Sequence, residues 1–281
     1  MLAILPLSVA LEIRTAAARC ASPIHELRFT SGVHAVLVCG NRNIVTDVLC
    51  DDALLQAVLL ALCGGSLYAH GETIREGFLY SEIAGVRVGV CGHAVVRDGR
   101  VERVSPVTSL AIRIPARYPG TYNELLPLIV HGQVPRSTLI WSPPGVGKTT
   151  ALRELTLALS EKPYGFRCAL IDTRYELAPG IQSDLLCVYS GYPRASGMEM
   201  AVRTMSPQIV VCDEIAGTDD ACAALECAMS GAAVLASTHA SDEKSLAKRP
   251  SLCMLFDAGV FPLWVGLERE GNTVRFHTVE R

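Results

Sequence analysis

Two patterns of hydrophobic and polar positions divide this chain. From about Ile24 to Ile114 apolar residues recur at every second place in short runs, with Val86, Val88 and Val90 on one face and Arg87 on the other. Successive side chains of a strand point to opposite faces, so this alternation predicts half-buried strands. They surround an apolar helix expected near Asp52–Cys63, and together these predict a small α+β domain. Beyond residue 135 the pattern changes to short, wholly apolar runs, Thr138–Trp141, Cys168–Ile171, Ile209–Cys212 and Ala233–Ala236, with helical stretches between them. Buried strands alternating with helices predict a mainly parallel sheet with helices on both faces. Between the two patterns Pro115, Pro119, Gly120, Pro127, Gly132 and Pro135 interrupt any regular element. The boundary is expected at residues 120–135, giving an α+β domain over 1–125 and an α/β domain over 126–281. A length of 281 residues fits two cores, since single cores tend to split beyond roughly 250 residues.

Candidate chemistry lies in the second pattern. After the strand Thr138–Trp141 comes Ser142-Pro143-Pro144-Gly145-Val146-Gly147-Lys148-Thr149-Thr150, then a helix with Leu152, Leu155 and Leu159 on one side. Strand, glycine-rich loop and helix follow in the order of a phosphate-binding P-loop. Its glycines let backbone amides turn to the β- and γ-phosphates, Lys148 brings a cation to them, and the Thr149 hydroxyl can ligate Mg2+. The strict pattern has glycine where this chain has Ser142. Further on, the apolar run Ile209–Cys212 ends in Asp213 and Glu214. Two acids closing a buried strand are costly unless they face a metal or cation. Asp213 is therefore read as holding the Mg2+ shell and Glu214 as orienting and deprotonating the attacking water. Two other strand ends reach the same sheet edge, where open α/β sheets bind ligands. Glu176 or Asp172 is assigned to the Mg2+ and water network, and His239 with Thr238 to sensing the γ-phosphate; Arg203 reaches the nucleotide or pairs with an acid. The reading is a RecA-like P-loop NTPase domain preceded by a smaller α+β domain, with no residue run that separates ATP from GTP.

Composition narrows the alternatives. Half the residues are hydrophobic, yet no window approaches the roughly 18 apolar residues of a spanning helix, and the longest run, Ala53–Cys63, contains Gln56. The apolar start, Met1–Ala10, has no basic region before it and soon meets Glu12 and Arg14, which argues against an export signal. The 11 cysteines are scattered through apolar segments and are read as buried thiols of a reducing compartment. No zinc-ribbon spacing and no helical pairing of the seven histidines occurs, so no structural metal is expected. A net charge of -3 and the lack of an aromatic-basic stretch argue against a nucleic-acid partner.

The residues resemble the secretion and pilus ATPase superfamily, in which a P-loop, an acidic box, a strand ending in acids and a histidine box recur in this order. Within it, Ser196-Gly197-Met198, Ala201-Val202-Arg203-Thr204-Met205-Ser206-Pro207-Gln208 and Asp213-Glu214-Ile215 resemble the stage III sporulation AA family, as do Glu26-Leu27-Arg28, Ser66-Leu67-Tyr68-Ala69, Arg87-Val88-Gly89 and Ser109–Ile114. The resemblance implies ATP and Mg2+ as cofactors, a homo-hexamer, and a cytoplasmic protein peripheral to membrane proteins of a secretion-like sporulation complex on the mother-cell side. It also implies that Arg87 and Arg113 reach the nucleotide of their own or a neighbouring subunit. Alternation leaves both arginines off the core face, since Ile112 and Ile114 oppose Arg113. The chain departs from the family at the acidic box, where Thr173 and Tyr175 replace a glutamate and a serine, and at Ala84-Gly85-Val86-Arg87, where the family has Gly-Gly-His-Arg. Two readings follow: an ATP-hydrolysing motor, and a nucleotide-gated assembly scaffold that rarely hydrolyses, the latter motivated by Thr173.

Overall fold

The computed structural model describes residues 4–20, 22–115, 118–246, 248–271 and 273–280. The start of the apolar N-terminal run, Met1–Ala3, lies outside the described residues. Two compact units divide at Met1–Ala116 and Arg117–Arg281, near the start of the proline- and glycine-rich segment.

In the first unit α1 (Leu7–Ala17) precedes β1 (Ile24–Thr30), β2 (Val33–Cys39) and β3 (Arg42–Cys50). Then come α2 (Asp52–Leu62), α3 (Gly71–Arg75), β4 (Phe78–Ser81), β5 (Val86–Arg97) and β6 (Arg100–Arg113). The strands form one antiparallel sheet in the order β3-β2-β1-β6-β5-β4. Its core joins Leu27, Phe29, Leu37, Val88, Leu110 and Ile112 to Leu55, Val58 and Leu62 of α2 and Ile13 of α1. The α2 start is fixed by Asp51, whose carboxylate accepts the Leu54 N–H at 2.7 Å. One expectation fails here. Cys20 and Cys39, read as free thiols, are disulfide-bonded, tying the end of α1 to the end of β2. Spacing alone could not show this, because it is the pairing of Cys39 with Ile24 at the start of β1, together with the chain after α1, that brings the two Cα atoms to 6.2 Å. Cys91 and Cys222 also differ from that reading, both being exposed.

The second unit begins with the short α4 (Leu126–Ile129) and the two-residue strands β7 (Val130–His131) and β8 (Val134–Pro135). Next come β9 (Thr138–Ser142), α5 (Lys148–Ser160), β10 (Cys168–Asp172), β11 (Leu186–Ser190), α6 (Arg194–Met205), β12 (Ile209–Glu214), α7 (Thr218–Met229) and β13 (Ala233–His239). The short α8 (Glu243–Leu246), α9 (Pro250–Asp257) and the hairpin β14 (Leu263–Glu270) and β15 (Thr273–Glu280) complete it. Each expected strand runs one to three residues further than its apolar stretch, so that its polar C-terminal residues are part of the ladder. The sheet order is β11-β10-β12-β13-β9-β14-β15, parallel throughout except for β15.

Alternate residues of these strands feed two cores. One face packs on Ala151, Leu152, Leu155 and Leu159 of α5, and the other on Met198 and Ala201 of α6, Ala224 of α7 and Leu252 of α9. The chain is thus a mixed α/β protein with a mostly parallel sheet and an N-terminal antiparallel-sheet domain. Gly197 explains why the Ser196-Gly197-Met198 stretch admits no larger residue at its centre. A Cβ there would lie 2.7 Å from Ile171 Cγ2 and 3.3 Å from Tyr192 Cβ, so α6 approaches β10 only through hydrogen. Gly197→Ala is expected to cost about 1–3 kcal/mol, the usual range for overpacking, as a lowered denaturant midpoint.

Candidate active site

All parallel strands end at one edge, and register brings their polar ends together there. His239 pairs with Ser142, Ser237 with Glu214, and Ile171, just before Asp172, with Cys212, just before Asp213. These ends border a cavity of about 360 Å³ lined by Gly145, Gly147, Lys148, Thr149, Thr150, Arg174, Glu176, Asp213, Glu214, Ser237 and His239.

The loop between β9 and α5 shapes one wall. Gly147 is the N-cap of α5 with φ 126°, a backbone that L side chains rarely adopt, and a Cβ there would also meet the Tyr122 hydroxyl at 3.2 Å. The first-turn amides of α5, having no intrahelical acceptor, lie at the cavity and carry the positive end of the helix dipole. Lys148 is only 7 % exposed. Its ammonium donates to Ser142 O (3.2 Å), Ser142 Oγ (3.2 Å) and Pro143 O (3.3 Å), and lies 2.9 Å from His239 Nδ1. With lysine as donor, Nδ1 accepts and the imidazole proton sits on Nε2. Burial lowers the Lys148 pKa, and the nearby charges of Glu214 and Asp213 oppose that. Ser142, the departure from the strict pattern, fits because it is small, and its oxygen serves Lys148 as glycine could not.

The acids form the opposite wall. Asp213 and Glu214 are half-buried at the end of β12. Burial raises the Asp213 pKa, Glu176 adds to the rise, and Arg194 opposes it. Arg194 itself donates to Asp220 at 2.9 Å, joining the first turns of α6 and α7.

Asp172 and Glu176 separate the two options left open by the sequence. Asp172 is 1 % exposed, and its carboxylate accepts the N–H groups of Glu176 (2.9 Å), Leu177 (3.1 Å) and Ala178 (2.8 Å). It is consumed by the turn, whereas Glu176 lines the cavity. Thr238 is buried and its hydroxyl accepts from Arg249 Nη1 at 2.9 Å, so only His239 of that pair borders the cavity. Arg203 is exposed near the end of α6, at the strands' opposite edge. Of its two assignments, nucleotide contact fails on position, because α6 runs back from the cavity before β12 begins. Pro143, Pro144 and Val146 belong to the loop but do not line the cavity.

Arg87 and Arg113 belong to the first unit. The Arg87 guanidinium lies 5.1 Å from the Phe78 ring centroid, a cation–π contact, while Arg113 is exposed opposite Glu26. Sequence reasoning missed Arg174, Ser237, Arg194 and Arg249. Arg174 stands between two residues that were considered, in the turn that follows the end of β10.

A strand–loop–helix with a buried lysine at the loop, and acids at the end of a parallel strand one place removed in the sheet, defines a RecA-like P-loop fold. The Legionella pneumophila ATPase DotB is similar over 98 % of this chain and 81 % of its own (TM-score 0.58, 16 % identity). The pilus retraction motor PilT, solved with bound ADP, is similar over 96 % and 82 % (TM-score 0.64, 14 % identity). The chain belongs to the sporulation stage III, protein AA family, whose model matches residues 4–280. It is 31 % identical over 222 residues to stage III sporulation protein AA of Bacillus subtilis (strain 168), covering 75 % of this chain and 72 % of that protein. Among the described residues no helix is long and apolar enough to cross a membrane.

Proposed function

We propose that this chain is an oligomeric, Mg-ATP-dependent ATPase that energises a secretion-like membrane complex during endospore formation. The observation that carries the reading is the single cavity in which Lys148 and Thr149 of α5 meet Asp213 and Glu214 of β12. The donor set fits both groups. Positive-φ glycines and first-turn amides suit phosphate oxygens, the Thr149 hydroxyl and the Asp213 carboxylate suit the hard oxygen coordination of Mg2+, and Lys148 suits the β- and γ-phosphates. Mg2+ would neutralise phosphate charge.

In this reading Glu214 orients water and takes its proton as the oxygen attacks the γ-phosphorus, while Glu176 holds the water network and His239 reports the γ-phosphate through Lys148. Assembly as a homo-hexamer, docking on membrane proteins from the cytoplasmic mother-cell side, and contribution of Arg87 and Arg113 to a nucleotide are parts of the same proposal. Support comes from the family's sporulation name and the ATPase and motor names of the structural relatives. The test is phosphate release from Mg-ATP. Glu214→Gln should keep nucleotide binding and lose about 10²–10⁴-fold in turnover, the range of a general base. Turnover equal to wild type would remove Glu214 from this role.

One observation favours a second reading, the nucleotide-gated scaffold. Where the family's acidic box has a glutamate, the Thr173 hydroxyl donates to Tyr192 O at 2.8 Å and supplies no carboxylate. Nucleotide-dependent assembly with no turnover above Lys148→Ala would select it.

A further inference from the structure

We propose that Arg174 is a catalytic residue supplied in cis, its guanidinium contacting the γ-phosphate across the cavity from Lys148; this rests on the nucleotide-hydrolysing reading above. Arg174 lines the same cavity as Lys148, Thr149, Glu176, Asp213 and Glu214. Its position is set by a turn held at several points. The Asp172 carboxylate takes three successive amides of residues 176–178, and the Asp172 carbonyl accepts the Gly191 N–H at 2.9 Å. Thr173 anchors to Tyr192 O, and Tyr175 adopts φ 57°, a conformation uncommon outside glycine. The Tyr175 hydroxyl occupies the space that a Cβ on residue 191 would need. A tyrosine at 175 is thus accommodated by glycine at 191. An over-determined turn that keeps an unusual backbone beside a polar cavity is a frequent mark of a functional loop.

Charge gives the turn its purpose. Without Arg174, one cation, Lys148, faces Glu176, Asp213 and Glu214. A magnesium–triphosphate complex would add ~2 net negative charges to that cluster. Arg174 supplies a second positive group in a planar fork suited to phosphate oxygens. In hydrolysis the water oxygen–phosphorus bond forms, the bond from phosphorus to the β–γ bridging oxygen breaks, and the proton goes to Glu214. Arg174 forms and breaks no covalent bond; it stabilises charge on the transferring phosphoryl group, a role worth ~10³–10⁵ in rate where an arginine performs it. Because Arg174 belongs to the unit that holds the cavity, this cation needs no neighbouring subunit.

The experiment measures affinities for Mg-ATPγS and Mg-ADP, steady-state phosphate release from Mg-ATP, oligomer size and thermal midpoint. The full-length wild type is compared with Arg174→Ala, Arg174→Lys and Lys148→Ala. Arg174→Ala is expected to bind ADP within about twofold of wild type, to lose its preference for the γ-phosphate-bearing nucleotide about tenfold, and to turn over at least about 100-fold more slowly, with Arg174→Lys recovering part. Equal kcat and an unchanged ATPγS-to-ADP ratio in Arg174→Ala would overturn the inference while leaving the ATPase reading intact. Equal weakening of both nucleotides with a lowered thermal midpoint would also overturn it, in favour of a structural role. A wild type that binds nucleotide but does not turn over overturns the catalytic role together with the hydrolysing reading. A wild type no better than Lys148→Ala at binding sinks both readings.

Discussion

Lys148→Ala should weaken Mg-ATP binding by at least about 100-fold and bring turnover to background, with little change in folding stability. Lys148 is 7 % exposed and its ammonium is the cation at the phosphate-binding loop, so its loss leaves phosphate oxygens facing Asp213 and Glu214 uncompensated. Stability should move the other way or not at all. Burial lowers the Lys148 pKa, meaning that the fold disfavours its charged form, and the unfolded chain binds more protons between the folded and unfolded values. Wild-type stability therefore rises with pH through that interval, and a variant without the lysine lacks the penalty below it. Titration calorimetry and a thermal melt of both proteins check this; a large drop in the melting midpoint with partial binding would mean that Lys148 is chiefly a structural anchor for Ser142 and Pro143.

Asp172→Ala is expected to have the second largest effect, through folding and activity together. Its carboxylate is the acceptor for three consecutive amides and is almost fully buried. Hydrogen bonds to a charged acceptor are worth roughly 1.5–3 kcal/mol each, and part returns when water enters the space left by the carboxylate. A net loss of about 3 kcal/mol is expected, read as a lower denaturant midpoint. With the turn released, Arg174 and Glu176 no longer hold their places at the cavity, so turnover should also fall at least about tenfold. Asp172→Asn, which keeps a carbonyl oxygen for the turn, should recover part of both. If Asp172→Ala kept full stability but lost magnesium dependence, Asp172 would be a metal ligand after all.

Much of the α/β unit could be read along the chain. Buried parallel strands need uninterrupted apolar runs, and the runs at 138, 168, 209 and 233 are therefore visible without coordinates. The loop at 142–150 is equally local, since its glycines, lysine and threonines act within one strand–loop–helix unit. The antiparallel unit was legible through its period-two alternation, which left Arg87 and Arg113 off the core face. Less legible was what each polar side chain does once the chain closes. Asp172 and Glu176 differ in sequence only by position in a turn, yet one is enclosed by amides and the other faces the cavity. The Cys20–Cys39 pair likewise depends on two segments meeting across a turn.

The sequence by itself determined the local units: which runs are strands, where the phosphate-binding loop begins, and which residues close a buried strand with charge. Those follow from periodicity and from the cost of burying polar groups, both of which act over a few residues. Tertiary structure decided partnership. Parallel register put the ends of β9, β12 and β13 side by side, set His239 against Lys148, and turned Arg174 to the same cavity. Hydrogen-bond geometry and charge interaction depend on ångström-scale proximity between residues far apart in the chain, such as Lys148 and His239 at a separation of 91, and proximity of that kind exists only once the sheet has formed.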